Sequence, residues 1–536
     1  MFAPLVVATC ILLYLAYRLY GAFLVKRCQI DDSRATPAET MEDGVDYVPT
    51  RASIVFGHHF SSIAGTGPIV GPILAALYFG WGPSWIWIIV GSVFIGGVHD
   101  FGSLLMSIRN KGQSIATTSR ELVGPVTGRL FIIFVLFALI YVLVVFVDLT
   151  ANTFATSPVV ATASGWFVFA ALAFGFLVAR TRLTFLWAIV IFVPITFLGL
   201  AVGEYFPAPT LDKNVWLAVV MVYAAVAAVM PVQLLLQPRD FLSSFFLYAV
   251  LISGVLGVLF GMPTIEGAAF KGWVNESASP IYLVPALFIT IACGACSGFH
   301  SVVASGTTSK QIRKESDIRK IGYGSMLVEG LLATLSLGTI AVLSTADIDA
   351  MTARDPISIF AAGLGKILSP FGFAGAHARD FALLAVSTFL LTTLDTCTRL
   401  CRFLLEELFE WRNKTSRYLG TILVLILPAL LVFQTYNGQP AWKATWPLFG
   451  ATNQLLASLA LITFAVYLRT NRIKAGFALY PAIAMLAMPL AALTFMTFEH
   501  GWNSLLGMAS ILMLILGIFV SFQSFGLIWK KGKAAT

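Results

Sequence analysis

The chain has 536 residues, 58% of them hydrophobic and 11% charged, with a formal net charge of +8. A mean hydropathy of +0.87 excludes a soluble globular domain. The basic excess lies in short loops between apolar runs, so it sets membrane topology and is no footprint for nucleic acid.

Apolar runs of about 18 residues or more, each able to cross ~30 Å of hydrocarbon, recur along the whole length. Fifteen are read, roughly at 4–25, 53–79, 84–106, 125–148, 160–179, 183–203, 214–236, 241–262, 282–306, 321–344, 380–399, 419–434, 448–468, 475–497 and 503–528. The first lacks a basic n-region and ends in Lys26-Arg27, so it reads as a retained helix, not a signal peptide. The second holds Phe56-Gly57-His58-His59-Phe60-Ser61-Ser62-Ile63-Ala64-Gly65-Thr66-Gly67-Pro68. Polar groups at that density are costly in lipid unless they face water or a ligand. Gly and Pro there break the helix, and broken helices at membrane depth occur where substrates and ions bind.

Further along, the seventh run has Met230-Pro231 in mid-span and ends Gln237-Pro238-Arg239-Asp240. The ninth contains Cys293-Gly294-Ala295-Cys296-Ser297-Gly298-Phe299-His300, followed by Ser305-Gly306-Thr307-Thr308. After the eleventh, Arg402 to Arg417 reads as an amphipathic helix lying along the interface. The six cysteines read as buried small thiols and not as a disulfide framework; Cys293-x2-Cys296 has metal-ligand spacing, but no metal and no cofactor are expected.

If the fifteen runs alternate across the membrane, 26 of the 34 Lys and Arg fall on one side. Lys213, Lys271, Arg354, Lys366, Arg379 and Lys443 fall on the other, and Arg18 and Arg129 lie within helices. The positive-inside rule then puts the N-terminus outside and the C-terminus in the cytoplasm.

The expected fold is thus an all-α polytopic membrane protein of about 15 transmembrane helices. Residues 1–52 form an N-terminal helix and inner loop, 53–400 a transport core of about ten helices, and 401–536 the interfacial helix and accessory helices. The breaks in the second and seventh runs are five apart and so enter from opposite sides, as in a LeuT-like five-plus-five inverted repeat. A second echo competes. Gly57-x-His59-x5-Gly65-Thr66 returns as Gly298-x-His300-x5-Gly306-Thr307, and Asp148 and Thr150 are echoed by Asp395 and Thr396. Both offsets are seven runs, which suggests a seven-plus-seven repeat instead.

Several blocks resemble the carbon starvation protein A (CstA) family of membrane transporters. They are Thr36-Pro37-Ala38, Asp43-Gly44-Val45-Asp46-Tyr47-Val48-Pro49-Thr50, Phe56-Gly57-His58-His59-Phe60, Ala64 to Pro72, and Gln237-Pro238-Arg239-Asp240. Ser297-Gly298-Phe299-His300, Ser305 to Lys310, Ile321 to Glu329, Thr393-Leu394-Asp395-Thr396 and Phe449 to Gln454 follow in the same order. The resemblance implies uptake of peptides or pyruvate across the bacterial inner membrane. It also implies membership of the amino acid–polyamine–cation superfamily, which favours the five-plus-five repeat.

Candidate site residues follow from the breaks. Gly65, Thr66 and Gly67 can expose backbone N–H groups to a substrate carboxylate at a half-helix N-terminus, or can simply pack closely. His58 and His59 point about 100° apart on a helix, so one faces the cavity more than the other. Ser297, Phe299 and His300 of the second echo join them as substrate-binding candidates. Asp100, Glu329 and Asp395 are carboxylates in or near spans, expensive unless protonated or paired, and are candidates for proton coupling; Asp395 also has Arg399 one turn on. Ser305, Thr307 and Thr308 are the hydroxyls a sodium site would use, or bonds to the preceding turn. An inner gate would pair Arg239 or Arg51 with Asp43 or Asp46.

A secondary transporter is the leading function, with proton coupling ahead of sodium. A membrane-embedded metal-dependent enzyme built on His58, His59, His300, Cys293 and Cys296 is the alternative from another class. A channel lacks its repeated filter, and no Walker A pattern is present.

Overall fold

The computed structural model describes residues 1–536 apart from 45–46, 181–184, 231–233, 277–279, 352–353, 374, 412–414, 437 and 534–536. The apolar runs form helices because lipid offers no partner to a free backbone N–H or C=O. α1 (Ala3–Arg27) precedes a bent pair, α2 (Ala52–Ile63) and α3 (Gly67–Phe79), whose axes differ by 42°. α4 (Trp81–Arg109) contains a π-helical segment at Ser92–Gly96. Next come α5 (Ile115–Val123), α6 (Pro125–Thr156), α7 (Pro158–Arg180), α8 (Leu186–Tyr205), α9 (Lys213–Val229) and α10 (Leu236–Gly261).

The ninth run is two short helices, α11 (Leu283–Thr290) and α12 (Gly298–Gly306), separated by a non-helical link. α13 (Arg319–Ala341) opens with a second π-helical segment, Arg319–Gly324. α14 (Pro356–Leu368), α15 (Gly375–Leu408), α16 (Ser416–Val432), α17 (Ala441–Thr470), α18 (Gly476–His500) and α19 (Leu505–Lys533) complete the order.

The protein is all-α and polytopic. Among the described residues, eleven helices are long and apolar enough to cross a membrane, and the bent pair α2–α3 makes twelve. α9 and α16 are apolar but shorter and the ninth run is two short helices, which accounts for the three runs missing from this count; α14 is a further short apolar helix outside the fifteen runs. Two readings shift. α15 continues unbroken to Leu408, so Arg402 to Leu408 are its last turns, with Arg402 and Leu404 buried, and not the start of an interfacial helix. The break read at Met230-Pro231 falls between α9 and α10, but Pro231 itself is outside the described residues.

At the centre, α6 lies along α15, and α17 lies along α6. The hydrophobic stretch of α17 is 100% buried, against 28% for α1, so α17 is a core element and α1 a peripheral one. α10 packs on α2, α3 on α13, and α12 against both α4 and α17. On the Lys/Arg-rich face, Val48 N donates to Lys310 O at 3.1 Å and Thr50 N to Gln311 O at 3.0 Å. Thr50 also forms a parallel bridge with Ile312, so the long loop before α2 is seated on the segment that follows α12.

Candidate functional site

The two broken helices meet at their breaks. α2 stops at Ile63 because Ala64 leaves helical geometry (φ −77°, ψ 56°), and the Gly65 amide turns back to donate to Ile63 O at 2.8 Å. α3 restarts with Pro68 in its first turn, where the missing N–H costs nothing. α11 ends at Thr290 and α12 restarts after Ser297 in extended geometry. A Cβ on Gly67 would lie 2.5 Å from both Cβ and Sγ of Cys293, and one on Gly65 would lie 2.7 Å from Thr393 Oγ1. These two glycines therefore serve close approach of the breaks and α15. Thr66 between them is buried, and its hydroxyl has no partner among the described residues.

Neighbouring helices satisfy the groups that the breaks release. Asn453 of α17 accepts from Phe299 N at 2.9 Å and donates to Ser297 Oγ at 3.0 Å. Gln454 donates to Phe288 O, Trp87 Nε1 to Ile291 O at 3.2 Å, and Ser336 Oγ to Ile69 O at 2.7 Å. Freed backbone at membrane depth needs such partners.

Two buried polar clusters flank the breaks. In the first, His300 of α12 stands between two carboxylates: Nδ1 lies 2.9 Å from Asp100 Oδ2, and Nε2 lies 3.4 Å from Glu329 Oε2. His99 Nδ1 lies 2.7 Å from the other Asp100 oxygen. His99 and Asp100 follow the π segment of α4, and Gly322, in the π segment of α13, packs against the backbone of Asp100. Asp100 thus has two imidazole partners. Glu329 differs: it is fully buried, and neither of its oxygens makes a hydrogen bond among the described residues. His59 Nδ1 meets the Thr308 hydroxyl at 2.9 Å, while its Nε2 has no partner among the described residues.

The second cluster joins α2, α9, α10 and α15. Arg239 is fully buried and pairs with Asp395 through Nη1 and with Asp240 through Nη2, the latter at 3.1 Å. Tyr223 OH donates to Asp395 Oδ2 at 2.8 Å and accepts from Arg239 Nη1 at 2.8 Å. His58 Nδ1 lies 3.2 Å from Asp240 Oδ2, and Ser62 Oγ lies 3.4 Å from the same oxygen. Ser61 bonds Ser243 of α10.

The predicted residues therefore divide between sites. His300, Asp100 and Glu329 share one cluster, with His59 nearby on Thr308; His58 and Asp395 belong to the other. Asp395 is not paired with Arg399, whose Nη2 donates instead to Ala227 O and Met230 O at the end of α9 (3.1 and 2.5 Å). Arg239 is no gate partner for Asp43, because it points into the core, and the pairings read for Asp46 lie outside the described residues. Ser305 Oγ donates to Ser301 O at 2.6 Å and accepts from Ile115 N at 3.0 Å, and Thr307 Oγ1 donates to Val303 O at 3.0 Å. Sequence reasoning missed His99, Tyr223, Asn453 and the buried pairing of Arg239 with Asp240. Arg239 and Asp240 belong to one of the family-like blocks, and their adjacency to the apolar run of α10 was the signal.

A protein-family model described as carbon starvation protein CstA matches residues 2–355 and 344–495. A protein of Bacillus subtilis (strain 168) named "Peptide transporter CstA" is 34% identical over 510 residues, covering 85% of this chain and 84% of its own. An Escherichia coli (strain K12) protein named "Pyruvate/proton symporter BtsT" is 30% identical over 556 residues, covering 85% and 76%. Among solved structures, the Eremococcus coleocola manganese transporter superimposes with a TM-score of 0.52 at 13% identity, over 92% of this chain and 99% of that one. At that identity the likeness is one of fold.

Proposed function

This chain belongs to the carbon starvation protein CstA family, and from that membership we propose that it is a proton-coupled secondary transporter importing a small carboxylate-bearing nutrient, a peptide or pyruvate. It is a multi-pass membrane transporter and not an enzyme.

The observation that carries the coupling is Glu329. A fully buried carboxylate without a hydrogen-bond partner is far cheaper neutral than charged, and it faces His300, which Asp100 holds from the other side. A proton delivered to this trio changes its charge. The substrate is assigned to the meeting point of the breaks. The free Thr66 hydroxyl and His59 Nε2 support that assignment, with His58, Gly65, Gly67, Ser297, Phe299 and His300 around it.

The packing supports a five-plus-five inverted repeat with a two-helix insertion. One repeat is α2–α3, α4, α6, α9 and α10; the other is α11–α12, α13, α15, α16 and α17. The second helix of each carries a π segment, and the fourth helices, α9 and α16, each have 17 residues. α10 packs on α2 as α17 packs on α12. The hairpin α7–α8 is extra in the first repeat, so the first three pairs of equivalent helices are seven runs apart and the last two, which follow the hairpin, are five apart. On this reading the second broken helix is α11–α12, the transport core runs from 52 to 470, and the basic face is cytoplasmic, with the N-terminus outside.

Uptake of labelled pyruvate and dialanine into proteoliposomes tests the function. Accumulation is expected to follow an imposed proton gradient, and Glu329→Gln is expected to abolish accumulation while leaving substrate exchange. Accumulation that needs sodium and ignores the proton gradient would overturn the coupling.

A further inference from the structure

The face opposite the basic loops opens into a cleft of about 520 Å³ lined by Asn152, Thr156, Arg354, Asp355, Arg379 and Lys443, among others. Leu74, in the second half of the broken pair α2–α3, also lines it. The charge of the cleft is unusual for its side. Loop alternation assigns six Lys and Arg to this face, and three of the six line this single cleft.

Their counter-charges are unevenly supplied. Arg354 is matched by Asp349 at 2.7 Å. Lys213, at the start of α9, is matched by Asp148 at 2.9 Å, one helical turn before Asn152. Asp355 caps α14, accepting from Ser358 N at 2.9 Å and Ser358 Oγ at 3.0 Å. Arg379 and Lys443 are exposed and make no ion pair within 4 Å among the described residues, with Asp380 and Asp355 the acidic groups nearest in effect. Three cations against Asp355 leave the lining net positive, and a recess with low-dielectric walls focuses such a field and concentrates anions at its mouth.

We propose that this cleft captures small net-anionic carboxylates, with Arg379 and Lys443 as the receiving cations, and so favours a monocarboxylate over a zwitterionic peptide. Pyruvate carries a net negative charge at neutral pH. A neutral-side-chain dipeptide carries none, so the long-range attraction acts on pyruvate alone. The proposal rests on the transport reading above and narrows its substrate.

The test is uptake of labelled pyruvate and labelled dialanine by the full chain in proteoliposomes, comparing wild type with Arg379→Gln, Lys443→Gln and the double variant. The double variant is expected to raise the pyruvate KM by about 10-fold, the scale of electrostatic steering. The rate at saturation and the dialanine KM should be unchanged. Arg379→Lys keeps the charge and should keep the wild-type KM, which separates charge from folding. Raising ionic strength should raise the wild-type pyruvate KM toward that of the double variant. An unchanged pyruvate KM in the double variant overturns the capture role and leaves the transport reading standing. Dialanine carried in preference to pyruvate overturns the anion preference. A wild type that carries neither sinks the transport reading and this role with it.

Discussion

Arg239 faces two carboxylates at once, and the net charge of that cluster decides how it responds to substitution. One guanidinium against Asp240 and Asp395 leaves an excess of one carboxylate. Asp395→Asn removes the excess and leaves Arg239 and Asp240 as a neutral pair, so little stability should be lost. Arg239→Gln leaves two buried carboxylates uncompensated, and removing one partner of a buried pair costs about 3–5 kcal/mol. Adding Asp395→Asn to Arg239→Gln should recover part of that loss. Thermal unfolding in detergent reads all three; a loss for Asp395→Asn as large as that for Arg239→Gln would refute the charge balance. The identities of these residues were legible in the sequence, since ionisable groups beside apolar runs are conspicuous. Their partners were not, because Arg399 is one turn from Asp395 in sequence while Arg239 reaches it only through the packing of α10 on α15.

The broken helices were the most legible elements, because glycine, proline and hydroxyl residues are costly at membrane depth except where a break lines a cavity. What the breaks do locally was harder to read. Gly65 and Gly67 suggested exposed amides waiting for a carboxylate; what the packing adds is that a Cβ at either position would meet Thr393 or Cys293. A Cβ at residue 67 has nowhere to go, and overpacking of this kind costs about 1–3 kcal/mol. Gly67→Ala should therefore lower both the melting temperature and uptake. Cys293→Gly in that background should restore part of the stability because it removes the obstructing Cβ, whereas Cys293→Ser should not. If neither second change helps, the tight contact with Cys293 is not what limits residue 67. The repeat was ambiguous for a related reason. Helix order can be read along the chain, but which helices are insertions cannot, so the seven-run echo and the five-helix repeat looked like rivals. The repeat proposed above reconciles them by treating α7–α8 as a hairpin added to the first repeat.

Across the whole molecule the two faces are unequal. One has the open, cation-lined cleft; the other is tied shut around Glu315, which is 1% exposed at its side chain and pairs with Arg109 at 2.6 and 2.9 Å. The same carboxylate accepts from Asp31 N at 2.8 Å, and Arg109 donates to Gln29 O at 2.9 Å. The end of α4, the loop before α2 and the segment after α12 are thus fastened at one point, beside the backbone bonds of Val48 and Thr50. In an alternating-access cycle a fastening of this kind would hold the basic face closed. Each charge-assisted bond of this kind contributes about 1.5–3 kcal/mol. Glu315→Gln should therefore shift the closed-to-open ratio by about 10-fold or more, since about 1.4 kcal/mol is a factor of ten. Gln311, only 5% exposed beneath the seated loop, reports the change. A cysteine at that position should react faster with a membrane-impermeant maleimide in inside-out vesicles when Glu315→Gln is present. A cysteine replacing Arg379 should react more slowly from the cleft side. Equal labelling rates with and without Glu315→Gln would mean that the fastening does not hold this face closed. Labelling of the Gln311 cysteine from the same side as the Arg379 cysteine would contradict the two-faced topology itself.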